Sequence, residues 1–261
     1  MEYKNIKFEV EGDIGWIKIN RPEKMNAFNM ATWRELVASL HEADHHEKVG
    51  VIVITGEGKA FCAGNDIGDL LAAANDENIA EDFFLGCIGN LVSNMLSVQK
   101  PLIACLNGYS FGGGTEITML CDMAIAADSA IFGTPEANLG VIPPIMSTFG
   151  PALIGHKNAH ELCVSTLRID AQRAREMGLI NKVVPADKLK EETEAMVKLI
   201  MKSSPPAKRA IKQLINQDIY ELQGRFALAL QKFWREVLVT PDAHEGTQAF
   251  LEKRKPKFGT Y

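Results

Sequence analysis

The residues best suited to chemistry lie in one run, Gly108-Tyr109-Ser110-Phe111-Gly112-Gly113-Gly114-Thr115-Glu116. The apolar stretch Pro101 to Leu106 precedes it and a helical pattern follows. Glycines at such a strand-to-helix turn let the main chain approach a ligand closely. The helix start adds unpaired N–H groups and the positive end of a dipole, so the turn suits negative charge. Two phosphate-binding patterns fail. A P-loop needs Gly-Lys-Ser/Thr, whereas Gly114 is followed by Thr115 with no lysine. A dinucleotide fingerprint running from Gly56 has Gly58, but Phe61 stands in the third glycine place.

Two chemistries stay open. Gly108 to Gly112 matches G-x-S-x-G, which would make Ser110 the nucleophile of an α/β-hydrolase. His156, His160 and His244 follow in the order a triad needs, but His156 and His160 read as an ordinary helix start, and no HGGG-type loop is found. Ser110 also reads as a small residue filling a tight turn. The other chemistry stabilises a carbonyl oxygen that gains negative charge, as in a thioester whose α-carbon becomes enolate-like. Two convergent main-chain N–H groups do this in a water-poor site. One would come from the helix start at Gly112–Gly114. The tight loop Ala60-Phe61-Cys62-Ala63-Gly64-Asn65-Asp66-Ile67 is the natural source of the other.

The elements that position these turns read as α/β. Ile6, Phe8 and Val10, then Ile14, Trp16, Ile17 and Ile19, suggest two strands about Glu11-Gly12-Asp13. Trp33, Leu36, Val37, Leu40 and Ala43 predict a helix over 30–44, with His45, His46 and Glu47 as its solvated end; a metal site there lacks further ligands. Apolar runs at 49–55, 101–106 and 123–127 each precede a glycine-containing loop, the first two then a helix, and the second helix is expected to run through Ala124. Residues 68–100 read as helical and either mobile or pocket-lining. Asp170 and Gly178 bracket a short helix as N-cap and stop. After Pro205-Pro206 come helices at about 206–222, 225–238 and 242–254, apolar enough to pack on a neighbouring subunit or within the chain.

Composition narrows the class. Of 261 residues, 46% are apolar and 23% charged, which supports a real core and argues against disorder. The net charge of -5 and the lack of a basic stripe argue against nucleic acid. Cys62, Cys87, Cys105, Cys121 and Cys163 are scattered with no C-x-x-C pair, so neither zinc nor a disulfide framework is expected. The first residues show no signal core or transit pattern, and no run nears the roughly 20 apolar residues that span a bilayer. A soluble cytoplasmic protein is the expectation.

Several motifs, in order, resemble one family. Asn20-Arg21-Pro22 with Asn26-Ala27 resembles an N-R-P…N-A opening. Phe61 to Ile67 resembles F-x-A-G-x-D-[IL], and Asn107 to Glu116 resembles N-G-x-x-x-G-G-G-x-E. Phe132 to Gly140 resembles F-G-x-P-E-x-x-L-G, and Ala171 to Pro185 resembles A-x-x-A-x-x-x-G-L-V-x-x-V-[VF]-P. Phe250-Leu251-Glu252-Lys253-Arg254 fits the same tail. The series is similar to the crotonase superfamily, the enoyl-CoA hydratase/isomerase family, over nearly the whole chain.

That resemblance implies an α/β spiral of ββα units over 1–200 and a helical oligomerisation region over 201–261, in a homotrimer or dimer of trimers. It implies an acyl-CoA thioester substrate, with coenzyme A part of the substrate and no cofactor or metal. The main-chain amides of Asn65 and Gly113 would hold the thioester oxygen. Glu116 and Glu136 fall at the family's catalytic positions, Glu116 to activate water and Glu136 to supply a proton at C2. Glu116 also reads as a first-turn acid on the helix dipole, and Glu136 as a solvated loop residue. Lys24, Ala27, Ala63, Gly64, Asp66 and Ile67 would hold coenzyme A, and Phe250 and Lys253 the nucleotide end of a neighbour's ligand. The cluster Lys253-Arg254-Lys255 reads too as a basic, solvated helix end. Two carboxylates favour hydratase over isomerase chemistry. One departure stands out: Val141-Ile142-Pro143-Pro144-Ile145-Met146-Ser147 replaces the family's G-x-x-P-G-x-G-G-T-Q-R-L, which opens isomerisation, hydrolysis or ring chemistry. A non-catalytic coenzyme A or RNA binder is the remaining alternative.

Overall fold

The computed structural model describes residues 3–259; residues 1, 2, 260 and 261, at the outer ends of the two expected regions, lie outside the described residues. The chain opens with an antiparallel hairpin of β1 (Ile6–Glu11) and β2 (Ile14–Ile19). A 3-10 turn, Pro22–Lys24, leads to α1 (Met30–His45), whose N-cap Asn29 accepts from the Thr32 amide. Three units of strand, strand and helix follow. The first is β3 (Val51–Gly56), β4 (Ala60–Cys62) and α2 (Ile67–Asn75). It runs on through α3 (Glu77–Glu81), the π-type stretch Asp82–Gly89 and α4 (Asn90–Ser97). The second is β5 (Leu102–Leu106), β6 (Tyr109–Phe111) and α5 (Gly113–Leu120). The third is β7 (Met123–Ala127), β8 (Ile131–Gly133), a 3-10 turn at Pro135–Leu139 and α6 (Pro144–Leu153). Then come α7 (His156–Ser165), β9 (Ile169–Asp170), α8 (Ala171–Glu176), β10 (Lys182–Val184) and α9 (Leu189–Met201). The tail is α10 (Pro205–Ile215), α11 (Gln217–Glu221), α12 (Gln223–Lys232) and α13 (Pro241–Leu251).

Each unit sends its first strand to one sheet and its second to another. The orders are β1-β2-β3-β5-β7-β10 and β4-β6-β8-β9. The large sheet is buried on both faces. Val51, Val53, Ile103 and Ile125 meet Leu189 and Val197 of α9, while Ile52, Ile54, Leu102 and Ala104 join the larger core on the other side. Such two-sided burial explains why these strands read as continuous apolar runs. Each fully buried Val, Leu or Ile contributes roughly 1.5–3 kcal/mol. The fold is the expected α/β spiral of ββα units with a helical C-terminal region.

Local capping accounts for the differences from the sequence reading. The helix after Gly113 ends at Leu120, not Ala124, because Cys121 is extended and Asp122 Oδ2 accepts from the Leu102 amide at 2.7 Å. Residues 68–100 do not form one helix, since the Asp76 side chain caps a new one on the Asn78 and Ile79 amides. The stretch 206–222 breaks at Asn216. Within the tail, α10 and α11 bury no residue, and Leu214 and Ile215 are 71% and 70% exposed. By contrast α13 lies main chain to main chain on the Pro135–Leu139 turn: a Cβ at Gly246 would sit 2.4 Å from the Leu139 carbonyl oxygen. No helix among the described residues is long and apolar enough to cross a membrane.

The small sheet sets the site. β4, β6 and β8 are parallel neighbours, with Cys62 beside Ser110 and Ser110 beside Phe132. The segments that follow them therefore emerge side by side at one edge, where open parallel sheets place ligands.

Candidate active site

The turn after β4 is clamped from one side. The Phe28 amide donates to the Gly64 carbonyl at 2.8 Å, and the Asp66 amide donates to the Phe28 carbonyl at 2.9 Å. This parallel bridge leaves the N–H and C=O of Asn65 facing away from Phe28. Gly64 takes φ +98, and a Cβ there would lie 3.1 Å from the Phe111 carbonyl oxygen, so the two turns touch. The Asn65 side chain turns back onto α1, where Trp33 Nε1 donates to its Oδ1 at 3.1 Å. Asp66 caps α2 through the Gly68 amide and pairs with Arg21 at 3.3 Å.

The turn after β6 is tighter. Gly112 adopts φ 51 and ψ -125, a conformation closed to L side chains, and its amide donates to the Gly133 carbonyl. Gly113 opens α5, so its amide precedes any helical acceptor. Among the described residues neither the Asn65 nor the Gly113 amide donates a hydrogen bond. Behind Gly113 stand the Trp33 ring, 3.4 Å from where a Cβ would be, and Phe28 at 3.6 Å.

Two buried carboxyls flank these turns. Glu116, one helical turn beyond Gly113, is 2% exposed. Its Oε1 accepts from the Ile145 and Met146 amides, both at 2.8 Å. Those are first-turn amides of α6, which Pro143-Pro144 starts, so the departure at 141–150 becomes a helix N-terminus aimed at Glu116. Burial raises the Glu116 carboxyl to about 7 even though both amides pull it down. Glu136, in the 3-10 turn after β8, is 7% exposed and not the solvated loop residue its surroundings in sequence allow. Its Oε2 has no hydrogen-bond partner among the described residues. Its Oε1 lies against Gly112, where a Cβ would approach to 2.6 Å. Burial, then repulsion from Glu116, holds this carboxyl well above the usual range. Burial, then the charges of the same two acids, push the thiol of Cys163 in α7 up to about 12. The buried Thr134 hydroxyl nearby is also unpartnered.

A comparison with known families now bears on this arrangement: the model described as enoyl-CoA hydratase/isomerase matches residues 9–260. The chain belongs to the enoyl-CoA hydratase/isomerase family. It is 35% identical over 259 residues to a probable enoyl-CoA hydratase of Mycobacterium tuberculosis, covering 99% of each chain. A probable enoyl-CoA hydratase of Rhizobium meliloti is 34% identical, again over 99% of both. Among solved structures, carnitinyl-CoA hydratase from Mycobacterium avium is similar with a TM-score of 0.85 and 32% identity, over 98% of this chain and 99% of that one.

The structure of this enoyl-CoA hydratase/isomerase family member brings most candidate residues together. Ala63 donates to the Met25 carbonyl at 3.0 Å, and Ala27 to the Lys24 carbonyl at 3.0 Å. Lys24, Ala27, Ala63, Gly64, Asp66 and Ile67 thus form one connected rim around Asn65, with the Lys24 side chain exposed. Phe250 and Lys253 are exposed at the end of α13, and no hydrogen bond among the described residues ties either to that rim. Ser110 has a buried hydroxyl with no partner, so the histidine a serine nucleophile requires is not at hand. Sequence reasoning missed Trp33, Phe28, Thr134, Cys163 and the two α6 amides. Only the Pro143-Pro144 pair, a helix-start signal, pointed to any of them.

Proposed function

We propose that this protein adds water across the C2=C3 bond of a 2-enoyl-CoA thioester. The reading is carried by the unequal surroundings of Glu116 and Glu136. A hydration needs one carboxylate to activate water at C3 and one carboxylic acid to protonate C2, and pKa values pushed apart divide that work. Glu116, held by two helix-start amides, is the more readily ionised and serves as base. Glu136, buried, with Oε2 unpartnered and repelled by Glu116, keeps its proton and serves as acid. The free amides of Asn65 and Gly113, on touching turns, receive the thioester oxygen as it gains charge. Coenzyme A lies along Lys24, Ala27, Ala63, Gly64, Asp66 and Ile67. The exposed apolar tail belongs to a homotrimer or dimer of trimers, in which Phe250 and Lys253 reach a neighbour's ligand. With an acidic balance and no membrane-crossing helix among the described residues, the protein works in the cytoplasm without nucleic acid.

One observation favours a second reading, isomerisation of a 3-enoyl-CoA to the 2-enoyl form. Glu116 Oε1 is committed to α6, which leaves Glu136, with its unpartnered Oε2, as a single proton carrier. A panel of linear and cyclic enoyl-CoA esters, with the double bond at C2 or C3, separates the two when products are weighed. Gain of one water from a 2-enoyl ester supports hydration. Unchanged mass with a moved double bond supports isomerisation, and no turnover of any ester overturns both.

A further inference from the structure

We propose that Trp33 is a positioning residue: its indole spans the Asn65 turn and the Gly113 helix start and fixes the distance between their two amides. The assignment rests on the reading that those amides hold the thioester oxygen. It concerns what sets their geometry, and Trp33 itself touches no reacting atom.

Trp33 belongs to neither turn. It sits on α1, fully enclosed at 1% exposure. Its two ends make different contacts. The pyrrole N–H donates to Asn65 Oδ1 at 3.1 Å. The far edge of the six-membered ring faces Gly113, 3.4–3.5 Å from where a Cβ would stand, so no more than a methyl group would fit between ring and glycine. The ring also packs on Phe28, with centroids 4.7 Å apart, and Phe28 is the residue whose main chain clamps Gly64 and Asp66. One rigid bicyclic group, with few rotatable bonds, thus carries the position of one turn to the other. Two turns that approach by main chain alone would otherwise be held only through the short pairing of β4 with β6, whose register is irregular.

The pairing also accounts for an asparagine at position 65. If only its main chain meets the ligand, its side chain is left over, and the structure shows it accepting from Trp33. A buried indole N–H left without an acceptor is destabilising, so Trp33 and Asn65 hold each other in place. An amide pair stabilises developing charge only when both point at the oxygen's final position, and a misplacement of about 1 Å can cost 10²-fold in rate.

The test uses the full-length protein and four forms: wild type, Trp33→Phe, Asn65→Ala and the double variant. Trp33→Phe keeps a ring against Phe28 but loses the donor, and Asn65→Ala loses the acceptor while keeping its main-chain N–H. The readouts are kcat and KM for a short 2-enoyl-CoA and the absorbance shift of a bound aryl-conjugated enoyl thioester, which reports carbonyl polarisation at saturation. Each single variant should lower kcat about tenfold, with KM little changed and the absorbance shift reduced. The double variant should be no worse than either single one, since both cut the same link. A wild-type absorbance shift and kcat retained in Trp33→Phe and Asn65→Ala would overturn the assignment alone, as would losses that multiply in the double variant. A wild type that turns over substrate without any absorbance shift would overturn the amide reading itself, and the assignment with it. If Trp33→Phe fails to fold, Asn65→Ala decides the question from the other side of the same bond.

Discussion

The Glu116 and Glu136 regions are built on opposite principles. At Glu116 a second helix arrives end-on and offers two amides to one oxygen. At Glu136 a short turn presents an oxygen to a closed space with nothing to bond it. Both acids are buried, so burial does not distinguish them. Donors distinguish them: two helix-start amides pull the Glu116 carboxyl down, whereas Glu136 has only its own amide to set against desolvation and the charge of Glu116. The fold therefore makes two chemically identical side chains unlike by routing one helix N-terminus to only one of them.

The largest effect expected from this contrast is on the rate. Glu116→Gln and Glu136→Gln should each lower hydration of a short enoyl-CoA by about 10²–10⁴-fold, the usual worth of a positioned acid or base. Near-normal turnover in either variant, measured at saturation, would end the division of labour. Gly112→Ala should lose about 10²-fold, because its Cβ would stand 2.6 Å from Glu136 Oε1 in a backbone region L residues avoid. A rate within twofold of wild type would show that Glu136 is not held there. The pH dependence sharpens the comparison further. Activity should rise as Glu116 ionises near pH 7 and fall again at higher pH when Glu136 loses its proton. Glu116→Gln should remove the acidic limb from whatever activity remains, and a limb that persists would assign it elsewhere. The smallest effect is on stability. Glu116 keeps its proton to higher pH folded than unfolded, so the unfolded chain releases protons first. Stability should fall as pH rises from about 4.5 through about 7, by at most about 3 kcal/mol for this group. Melting curves of Glu116→Gln should show a higher midpoint than wild type at pH 8 and a smaller gap at pH 5.

Local signals carried much of this into the sequence. The hairpin at Glu11-Gly12-Asp13 shows in alternation, the Asp170 cap and Gly178 stop in residue types, and the Gly112 turn in its glycines. The short strands at 131–133, 169–170 and 182–184 left no periodicity, since two or three residues cannot establish one. The same limit hid the site's supports. Nothing near Trp33 in sequence marks its bond to Asn65, because that contact crosses from α1 to the turn after β4. The 141–150 stretch read as a missing motif, and only three dimensions reveal two of its amides spent on Glu116.

The contact between α13 and the Glu136 turn carries a consequence for folding. Gly140 and Gly246 let the main chains of the turn and of α13 meet with no side chain between them. The wall behind that acid therefore comes from a helix far away in sequence, beyond α7 to α12. A chain that has wound its spiral but not yet docked α13 still lacks the brace beside Glu136, so the site closes only when that long-range contact forms.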